Sequence, residues 1–295
     1  MANLETIINR KTEADTEWRE ARQMERENTA AMRESGITEI TSHPETYTAY
    51  LTMQGSNPMY SPGNIALAMF QNPEATIIGT RDRWQSLGRT VSEDQRGKGM
   101  KIFARASFPA KGYVLSDVYD VSQTQGKPVK ETRLHDNSKE MDTALSALLN
   151  FSPVPVVTNA DLDSPALYDE EQQALYINPA SQDGEAFGAI ATEIAHARIH
   201  NKGYNSHYDR AESQLDAESV SYILCRRFGV ERELPDATHV AALYDGWESD
   251  DRAEALDDVQ GMAKRIGKTI DEKLLPLQEK GRLAATRASH SRPAR

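Results

Sequence analysis

The stretch TEIAHARIH, residues 192–200, decides how the second half of this sequence is interpreted. A metal-binding peptidase helix carries the pattern H-E-x-x-H, and here Thr192 stands at the first histidine position. At about 100° per residue, that threonine shares one helical face, about 100° wide, with Glu193, His196 and His200. Isoleucine and alanine cover much of the remaining surface. The pattern therefore predicts a largely buried helix whose polar side chains need partners.

This polar face has two interpretations. Histidines at i and i+4 can bind one metal ion, and an intervening glutamate can act as general base on a metal-bound water. Glu193 is then the base, His196 a zinc ligand and His200 a further candidate ligand. A following helix supplies Glu218 as the acidic ligand. Substitutes for that position are Asp216, Glu212 and His207. The alternative interpretation is a pair of hydrogen-bonded histidines at the edge of a core.

The threonine weakens the metal interpretation. Its hydroxyl is neutral and a poor zinc ligand, so His196 and Glu218 alone leave two protein ligands where a catalytic zinc has three. His200 lies one turn too far along the helix for the usual geometry. The sequence therefore predicts an impaired or altered zinc site, and leaves open an active zinc metallopeptidase with an unusual third ligand.

Composition limits the remaining possibilities. A chain of 295 residues predicts about two domains. Cys225 is the only cysteine, which excludes an internal disulfide and favours a reducing, cytoplasmic location. No apolar run approaches the roughly 20 residues of a membrane span, and the N-terminus has no secretory pattern. The net charge of −11 is uneven: residues 80–111 hold eight basic and three acidic residues, whereas residues 161–260 hold seven basic and 22 acidic ones.

Hydrophobic periodicity and turn residues predict an α+β chain. A charged helix over 4–35 ends at Gly36, and residues 39–63 are rich in loops. A small mixed α/β domain is followed by a mainly helical domain with a short β-sheet. The predicted segments are a charged helical extension (1–44), the mixed domain (45–135), the helical domain (139–275) and a basic disordered tail (276–295).

The basic segment 80–111 predicts a surface for single-stranded nucleic acid. Such surfaces combine a cationic groove with aromatic faces on which bases stack. The candidate contacts are Arg81, Arg83, Trp84, Arg89, Arg96, Lys98 and Lys101. The alternative is an ordinary solvated face in which Trp84 belongs to the core.

Two stretches resemble one known family. ALYINP, followed by EIAHARIH and AESVSYILCRRFGV, resembles the zincin domain of ArdC-type antirestriction proteins and their LtrC-like relatives from mobile elements. Upstream, NPMYSPGNIALAMFQNPEATIIGTRDRWQSLGRTVSEDQRGKGMKIFARA resembles the single-stranded-DNA-binding domain of that group, and VYDVSQTQG resembles the stretch that closes it. The resemblance covers roughly residues 45–270.

This resemblance implies single-stranded DNA as a partner, zinc as a cofactor and a peptide or protein substrate if activity survives. It places Glu193 at the general base, His196 at a zinc ligand and Glu218 at the acidic ligand, with Thr192 at the missing histidine. The implied role is protection of incoming DNA from restriction, or assistance in its transfer. A further hypothesis is a non-catalytic interaction scaffold that recruits partners through its charged helix and basic tail. The oligomeric state stays open.

Overall fold

The computed structural model describes residues 3–106, 108–201 and 208–290, with side chains described as far as residue 277. No helix within these ranges is long and apolar enough to cross a membrane. Helices and small sheets alternate, which confirms the predicted α+β class. In chain order the elements are α1 (Leu4–Ser42), α2 (Pro44–Ser56), α3 (Pro62–Gln71), β1 (Ile78–Gly79), α4 (Arg81–Ser86), β2 (Arg89–Val91), β3 (Met100–Arg105), β4 (Tyr113–Asp120), β5 (Thr124–Gly126), α5 (Lys139–Leu149), β6 (Val156–Thr158), β7 (Ala166–Asp169), β8 (Ala174–Ile177), α6 (Asp183–His200), α7 (Arg210–Phe228), α8 (Val240–Leu243) and α9 (Ser249–His290).

The chain folds into two compact units. The first comprises Met1–Ile40 and Gly63–Lys127, and the second Thr41–Pro62 and Pro128–Arg295. This division differs from the predicted segments. Helix α2, expected to open the mixed domain at residue 45, belongs to the second unit, and the later boundary follows residue 127 rather than 135.

The first unit is built on two antiparallel sheets. Strand β4 is central in a sheet of order β1-β4-β3, and β2 pairs with β5. The register places Met100 opposite Val118 and Arg105 opposite Tyr113. Large side chains buried in this unit are Ile65, Leu67, Ile78, Trp84, Ile102 and Tyr119.

Two amides of α3 satisfy the free edge of β3. The Asn64 side chain donates to the Phe103 carbonyl at 2.9 Å and accepts from the Phe103 N–H at 3.0 Å. Gln71 makes the same pair of bonds with the backbone of Lys101, at 2.9 and 2.8 Å. Because an exposed strand edge leaves backbone groups unpaired, these amides replace a neighbouring strand and fix α3 along β3.

Helix α1 is longer than predicted. Gly36 does not end it, and after Ser42 the chain enters α2 almost at once, so residues 39–63 are largely helical. The glycine serves close packing instead, because a Cβ at position 36 would lie 3.0 Å from the Ala66 carbonyl oxygen. Tertiary packing here outweighs the weak helix propensity of glycine.

The second unit packs helices against a small mixed sheet. Strand β8 lies between β6, which runs parallel to it, and β7, which runs antiparallel. Helices α6 and α7 lie alongside each other, and α2 packs on α7, where the Tyr47 and Ser219 hydroxyls are 3.0 Å apart. The buried apolar side chains at the centre of these helices include Phe187, Ile190, Ile194, Val220, Leu224 and Phe228.

Helix α9 continues beyond the predicted end of the domain. It runs through Pro276 to His290, whereas the sequence predicts a disordered tail from residue 276. The proline removes one backbone donor but does not end the helix in this structure. The last part of that predicted tail, 291–295, lies outside the described residues.

Candidate functional site

The polar face of α6 is buried, as its sequence predicts. Thr192 is 5% exposed, Glu193 7% and His196 0%. They face α7 and strand β7, whose nearby backbone and side chains supply hydrogen bonds. Since buried polar groups are costly unless they are paired, the partners decide what this face can do.

Glu193 is the anion of a buried ion pair. Arg210, at the first turn of α7, donates to both carboxylate oxygens from Nη2, at 2.7 and 2.8 Å. Oε2 also accepts the Tyr168 N–H at 2.8 Å. Burial acts to lower the pKa of Arg210, but hydrogen bonding and attraction to Glu193 outweigh it, so this pKa is raised. Both carboxylate oxygens are therefore engaged by a guanidinium, and one of them also by a backbone N–H.

His196 uses both ring nitrogens within the protein. Nε2 lies 3.0 Å from Oε1 of Gln214, and Nδ1 lies 2.9 Å from the Tyr208 hydroxyl. An amide oxygen only accepts, so the geometry assigns the proton to Nε2, and Nδ1 accepts from tyrosine. Burial, reinforced by the charge of Arg210, lowers the pKa of His196 and favours the neutral ring. Neither nitrogen has a free lone pair for a metal ion.

Gln214 joins His196 to Glu218. Its amide oxygen accepts from the imidazole, and its amide nitrogen donates to Glu218 Oε1 at 2.7 Å. A continuous chain of hydrogen bonds thus runs from Tyr208 through His196 and Gln214 to Glu218. The structure brings the predicted histidine and carboxylate to one polar face, but an amide occupies the space between them.

Thr192, at the position of the missing histidine, receives a second arginine. Its hydroxyl donates to the Gly188 carbonyl at 3.2 Å and accepts from Arg232 Nη2 at 2.8 Å. A Cβ at Gly188 would lie 2.5 Å from Arg232 Nη1, so the glycine admits this guanidinium to the helix surface. Positive charge therefore reaches this face of α6 from arginine side chains.

His200 points to a different set of partners. Its Nδ1 lies 2.8 Å from the Tyr168 hydroxyl and 3.2 Å from Nε2 of Gln173. Its ring stacks on Tyr208, with centroids 4.5 Å apart and planes 14° apart. Burial raises the pKa of Tyr208 to about 12, so this phenol stays protonated and can donate to His196. His200 thus supports the tyrosine that holds His196.

The residues present do not fit a zincin metal centre. Among the described residues, no group of three or more His, Cys, Asp or Glu side chains could hold a metal ion. Glu193, predicted as the general base, is held by Arg210 through both carboxylate oxygens. Of the predicted ligands, His196 contacts Gln214 and Tyr208, Glu218 accepts from Gln214 at Oε1, and His200 contacts Tyr168 at Nδ1. Of the proposed substitutes, His207 lies outside the described residues.

The other two substitutes lie two residues from Gln214 on α7 and therefore on a different side of that helix from the residue that contacts His196. Glu212 is exposed in the first turn of α7, and Asp216 is held close to Asp258 of α9. Burial, reinforced by the charge of Asp258, raises the pKa of Asp216 to about 6. The same carboxyl also raises the pKa of Tyr47 on α2, after the larger effect of burial.

Asp216 is expected to make the second unit less stable as pH rises. The pKa of Asp216 is higher in the folded chain than its ordinary value. Its stabilising contribution to the free energy of unfolding is therefore complete below about pH 4 and is lost as pH rises through about 6. We expect Asp216→Asn to flatten this dependence and to raise the free energy of unfolding at pH 7 by about 2 kcal/mol. Urea unfolding between pH 4.5 and 7.5 measures both effects, and an unchanged slope in the variant would contradict this assignment.

The sequence interpretation missed four residues that complete this face, namely Gln214, Tyr208, Arg210 and Arg232. Gln214 had a usable signal, because it lies four residues before Glu218 and therefore on the same side of α7. Arg210 lies four residues before Gln214 and therefore also on this side of α7. Arg232 had no local signal, since it follows the end of α7 and reaches Thr192 only through the tertiary fold.

Three of the predicted nucleic-acid contacts have structural roles. Trp84 is fully buried and donates from Nε1 to the Tyr119 carbonyl at 3.0 Å, so its ring is not open to a base. Arg89 donates to the hydroxyl and the carbonyl of Thr124, both at 2.8 Å, and ties β2 to β5. Lys101 lies 3.1 Å from carboxylate oxygens of both Glu25 and Asp117. Trp84, Arg89 and Lys101, predicted to contact DNA, therefore each have partners within the first unit.

Other predicted contacts remain at the surface of the first unit. Arg96 and Lys98 are exposed in the turn that precedes β3, where Arg96 has a loose ion pair with Glu93 at 3.6 Å. Arg81 is exposed and donates to the Tyr119 hydroxyl at 3.1 Å, while a Cβ at Gly99 would lie 3.0 Å from the end of that ring. Arg81, Arg96 and Lys98 therefore lie at one edge of the unit, called the cationic edge below. Arg83, on α4, is half-buried beside it.

Comparison with known proteins gives distant relatives. No family model matches the sequence. The chain is similar to an uncharacterized protein of Bacillus anthracis, at 19% identity over 316 residues; the alignment covers 86% of this chain and 53% of that protein, so the chain spans about half its length.

Among solved structures, the chain is similar to the antirestriction protein ArdC from plasmid R388. The metal-free form has 14% identity and a TM-score of 0.42, over 74% of this chain and 86% of that one. The Mn(II)-bound form has 17% identity and a TM-score of 0.44, over 72% and 84%. ArdC, whose family the sequence segments resemble, is thus among the structural neighbours. The metal in that neighbour is manganese, whereas the sequence analysis expects zinc.

Proposed function

We propose that this chain is an antirestriction-like protein of a mobile element, that its first unit binds single-stranded DNA, and that its second unit is a zincin-like scaffold whose metal centre has been replaced by arginine and amide side chains. The observation that carries the DNA-binding part is the cationic edge of Arg81, Arg96 and Lys98. The antirestriction role comes from the resemblance of the sequence segments to ArdC-type proteins.

The cationic edge supports binding of a polyanion. Its cations are weakly engaged within the described residues, since Arg96 has a loose pair with Glu93 and Arg81 contacts a neutral phenol. By contrast, Arg89 and Lys101 bind other residues of the first unit, namely Thr124 for Arg89 and Glu25 and Asp117 for Lys101. Local potential steers a charged strand even when the net charge of the chain is opposite, provided that the cations share a surface. The acidic second half confines this binding to the first unit.

The other two hypotheses have less support. An active peptidase built on Glu193, His196 and Glu218 would need to release the carboxylate from Arg210 and the imidazole from Gln214. A pure interaction scaffold would leave the cationic edge without a role. Absence of oligonucleotide binding by the full chain would favour that scaffold.

Removal of the cationic edge is expected to weaken binding and reduce its salt dependence. Each phosphate contact on a single strand contributes a slope of about −0.7 to the logarithm of affinity against the logarithm of salt. We expect Arg81→Ala, Arg96→Ala and Lys98→Ala together to reduce the magnitude of this salt slope by about 2. We also expect them to lower the affinity at least tenfold in low salt. Fluorescence anisotropy of a labelled oligonucleotide, titrated at several salt concentrations, measures both quantities.

The matched control removes three exposed cations from α9, through Arg265→Ala, Lys268→Ala and Lys273→Ala. It changes the net charge equally but leaves the first unit intact. Equal loss of binding in both variants would show that only overall charge matters, and would count against the cationic edge.

A further inference from the structure

A second feature of the first unit concerns helix α1 rather than the predicted basic segment. An open groove of about 260 Å³ lies between α1 and strand β4. One wall is helical and basic, and the other is an apolar part of the strand. Its lining includes Trp18, Arg19, Arg22, Arg26, Val114 and Leu115.

Trp18 is an exposed aromatic platform in this groove. Its side chain is 61% exposed, which is unusual for so large an apolar group. The guanidinium of Arg22, one turn further along, lies 5.1 Å from the tryptophan ring centroid. Val114, on the opposite wall, is also 42% exposed. The groove therefore presents a flat ring, an adjacent cation and an apolar floor.

Arg26 holds the helix beside the strand. Its Nη1 donates to the Tyr113 carbonyl at 2.8 Å, and its guanidinium lies 5.6 Å from the Phe103 ring centroid. One carbonyl uses only part of the five-donor guanidinium, so its other donors can reach a ligand. The helical repeat places Trp18, Arg22 and Arg26 one turn apart on one face, about 6 Å between successive positions.

Charge along α1 is separated between its two sides. At about 100° per residue, Trp18, Arg19, Arg22 and Arg26 fall within about 100° of each other. The glutamates at 13, 17, 20 and 27 fall on the opposite side, and Glu25 is paired with Lys101. Asp15 falls on the groove face and Glu25 falls beside Trp18 at its margin. Although the helix as a whole holds nine acidic and six basic residues, its groove is lined by three arginines.

We propose that this groove binds a single-stranded polynucleotide, with one base stacked on Trp18 and the flanking phosphates bound by Arg19, Arg22 and Arg26. This inference rests on the proposed function and adds a second contact site within the same unit. Single-strand sites pair aromatic faces with cations in this way, and stacking tolerates any base because every base has a π face. A polyanion without rings would use the arginines but would leave the exposed indole without a partner.

The test combines affinity with tryptophan fluorescence. An unlabelled oligothymidylate of 12 nucleotides is titrated into the full chain. We expect quenching of Trp18 on binding, because Trp84 is buried and Trp247 lies in the other unit. Trp18→Phe should abolish the quenching but keep most of the affinity, and Trp18→Ala should weaken binding about 5- to 100-fold. Arg22→Ala with Arg26→Ala should weaken binding and reduce its salt dependence.

Met24→Ala is the matched control, because Met24 is 62% exposed and falls on the opposite side of the same helix. It should bind like the unchanged chain, and circular dichroism should show equal helicity for all variants. The groove site would be overturned if Trp18→Ala and the double arginine variant both bound the oligonucleotide normally and showed normal quenching. If only the cationic-edge variant lost binding in that experiment, the proposed function would stand. No binding of the oligonucleotide by the unchanged chain would overturn both. Quenching by a hexaglutamate peptide but not by oligothymidylate would overturn the groove site in favour of an acidic protein partner.

Discussion

Replacement of Arg210 by alanine is expected to destabilise the second unit by about 3–5 kcal/mol. Glu193 is only 7% exposed, and Arg210 supplies the sole side-chain cation within hydrogen-bond distance of it among the described residues. Within the described part of the chain, loss of that cation leaves a buried carboxylate with the backbone N–H of Tyr168 as its remaining partner. Urea unfolding at pH 7, followed by circular dichroism, measures the loss.

A double variant separates charge from packing. Glu193→Gln combined with Arg210→Ala leaves no buried charge, so we expect it to recover at least half of the loss caused by Arg210→Ala. Arg226→Ala is the matched control, because this arginine is exposed on the same helix and makes one hydrogen bond to Ser56. A loss below 1 kcal/mol for Arg210→Ala, or a double variant no more stable than the single one, would contradict a buried ion pair.

The second large effect concerns zinc affinity. Thr192→His alone is expected to give little gain, since Arg232 would face the new imidazole and Gln214 would still occupy His196 and Glu218. A triple variant that adds Gln214→Ala and Arg232→Ala removes both obstacles. It frees the His196 imidazole and the Glu218 carboxylate beside the introduced histidine. Three protein ligands suit zinc, so we expect the triple variant to bind it at least 100-fold more tightly than Thr192→His.

Calorimetric titration of zinc into protein without a histidine tag measures this difference. Gln214→Ala with Arg232→Ala, which retains Thr192, serves as the control with two ligands. Tight binding by Thr192→His alone would mean that neither the amide nor the guanidinium excludes the metal. Weak binding by the triple variant would mean that the three side chains do not converge.

The α6 face illustrates what the sequence could predict. Helical spacing placed Thr192, Glu193 and His196 together, and an apolar background predicted their burial; both features are confirmed. The partners were less accessible to sequence reasoning, because the same pattern fits a metal ion or protein hydrogen bonds. Arg232 lies 40 residues from Thr192 along the chain, and only tertiary packing brings it there.

The first unit illustrates a different limit. Basic residues near aromatic ones predicted a nucleic-acid surface over 80–111, but composition does not distinguish an exposed cation from one that holds the fold. Arg89 and Lys98 both lie next to glycines, yet Arg89 binds Thr124 whereas Lys98 is exposed. Trp18 was overlooked because α1 was interpreted from its sparse apolar pattern. Its place in a groove is apparent only when β4 is seen beside the helix.

Local signals also misplaced element ends. Gly36 and Pro276 are residues that commonly end helices, but α1 and α9 continue through them. At Gly36 the close approach of Ala66 explains the glycine. Such positions depend on what packs against them, which propensity does not encode.

The most direct measurement is binding of a labelled single-stranded oligonucleotide to the full chain in low salt, first with a chelator and then with added zinc or manganese. We expect binding that weakens steeply with salt, is the same with and without metal, and is at least tenfold weaker when Arg81, Arg96 and Lys98 are replaced. Binding that requires a metal ion, or no binding under any of these conditions, would contradict a cationic DNA-binding unit joined to a scaffold whose metal centre has been replaced.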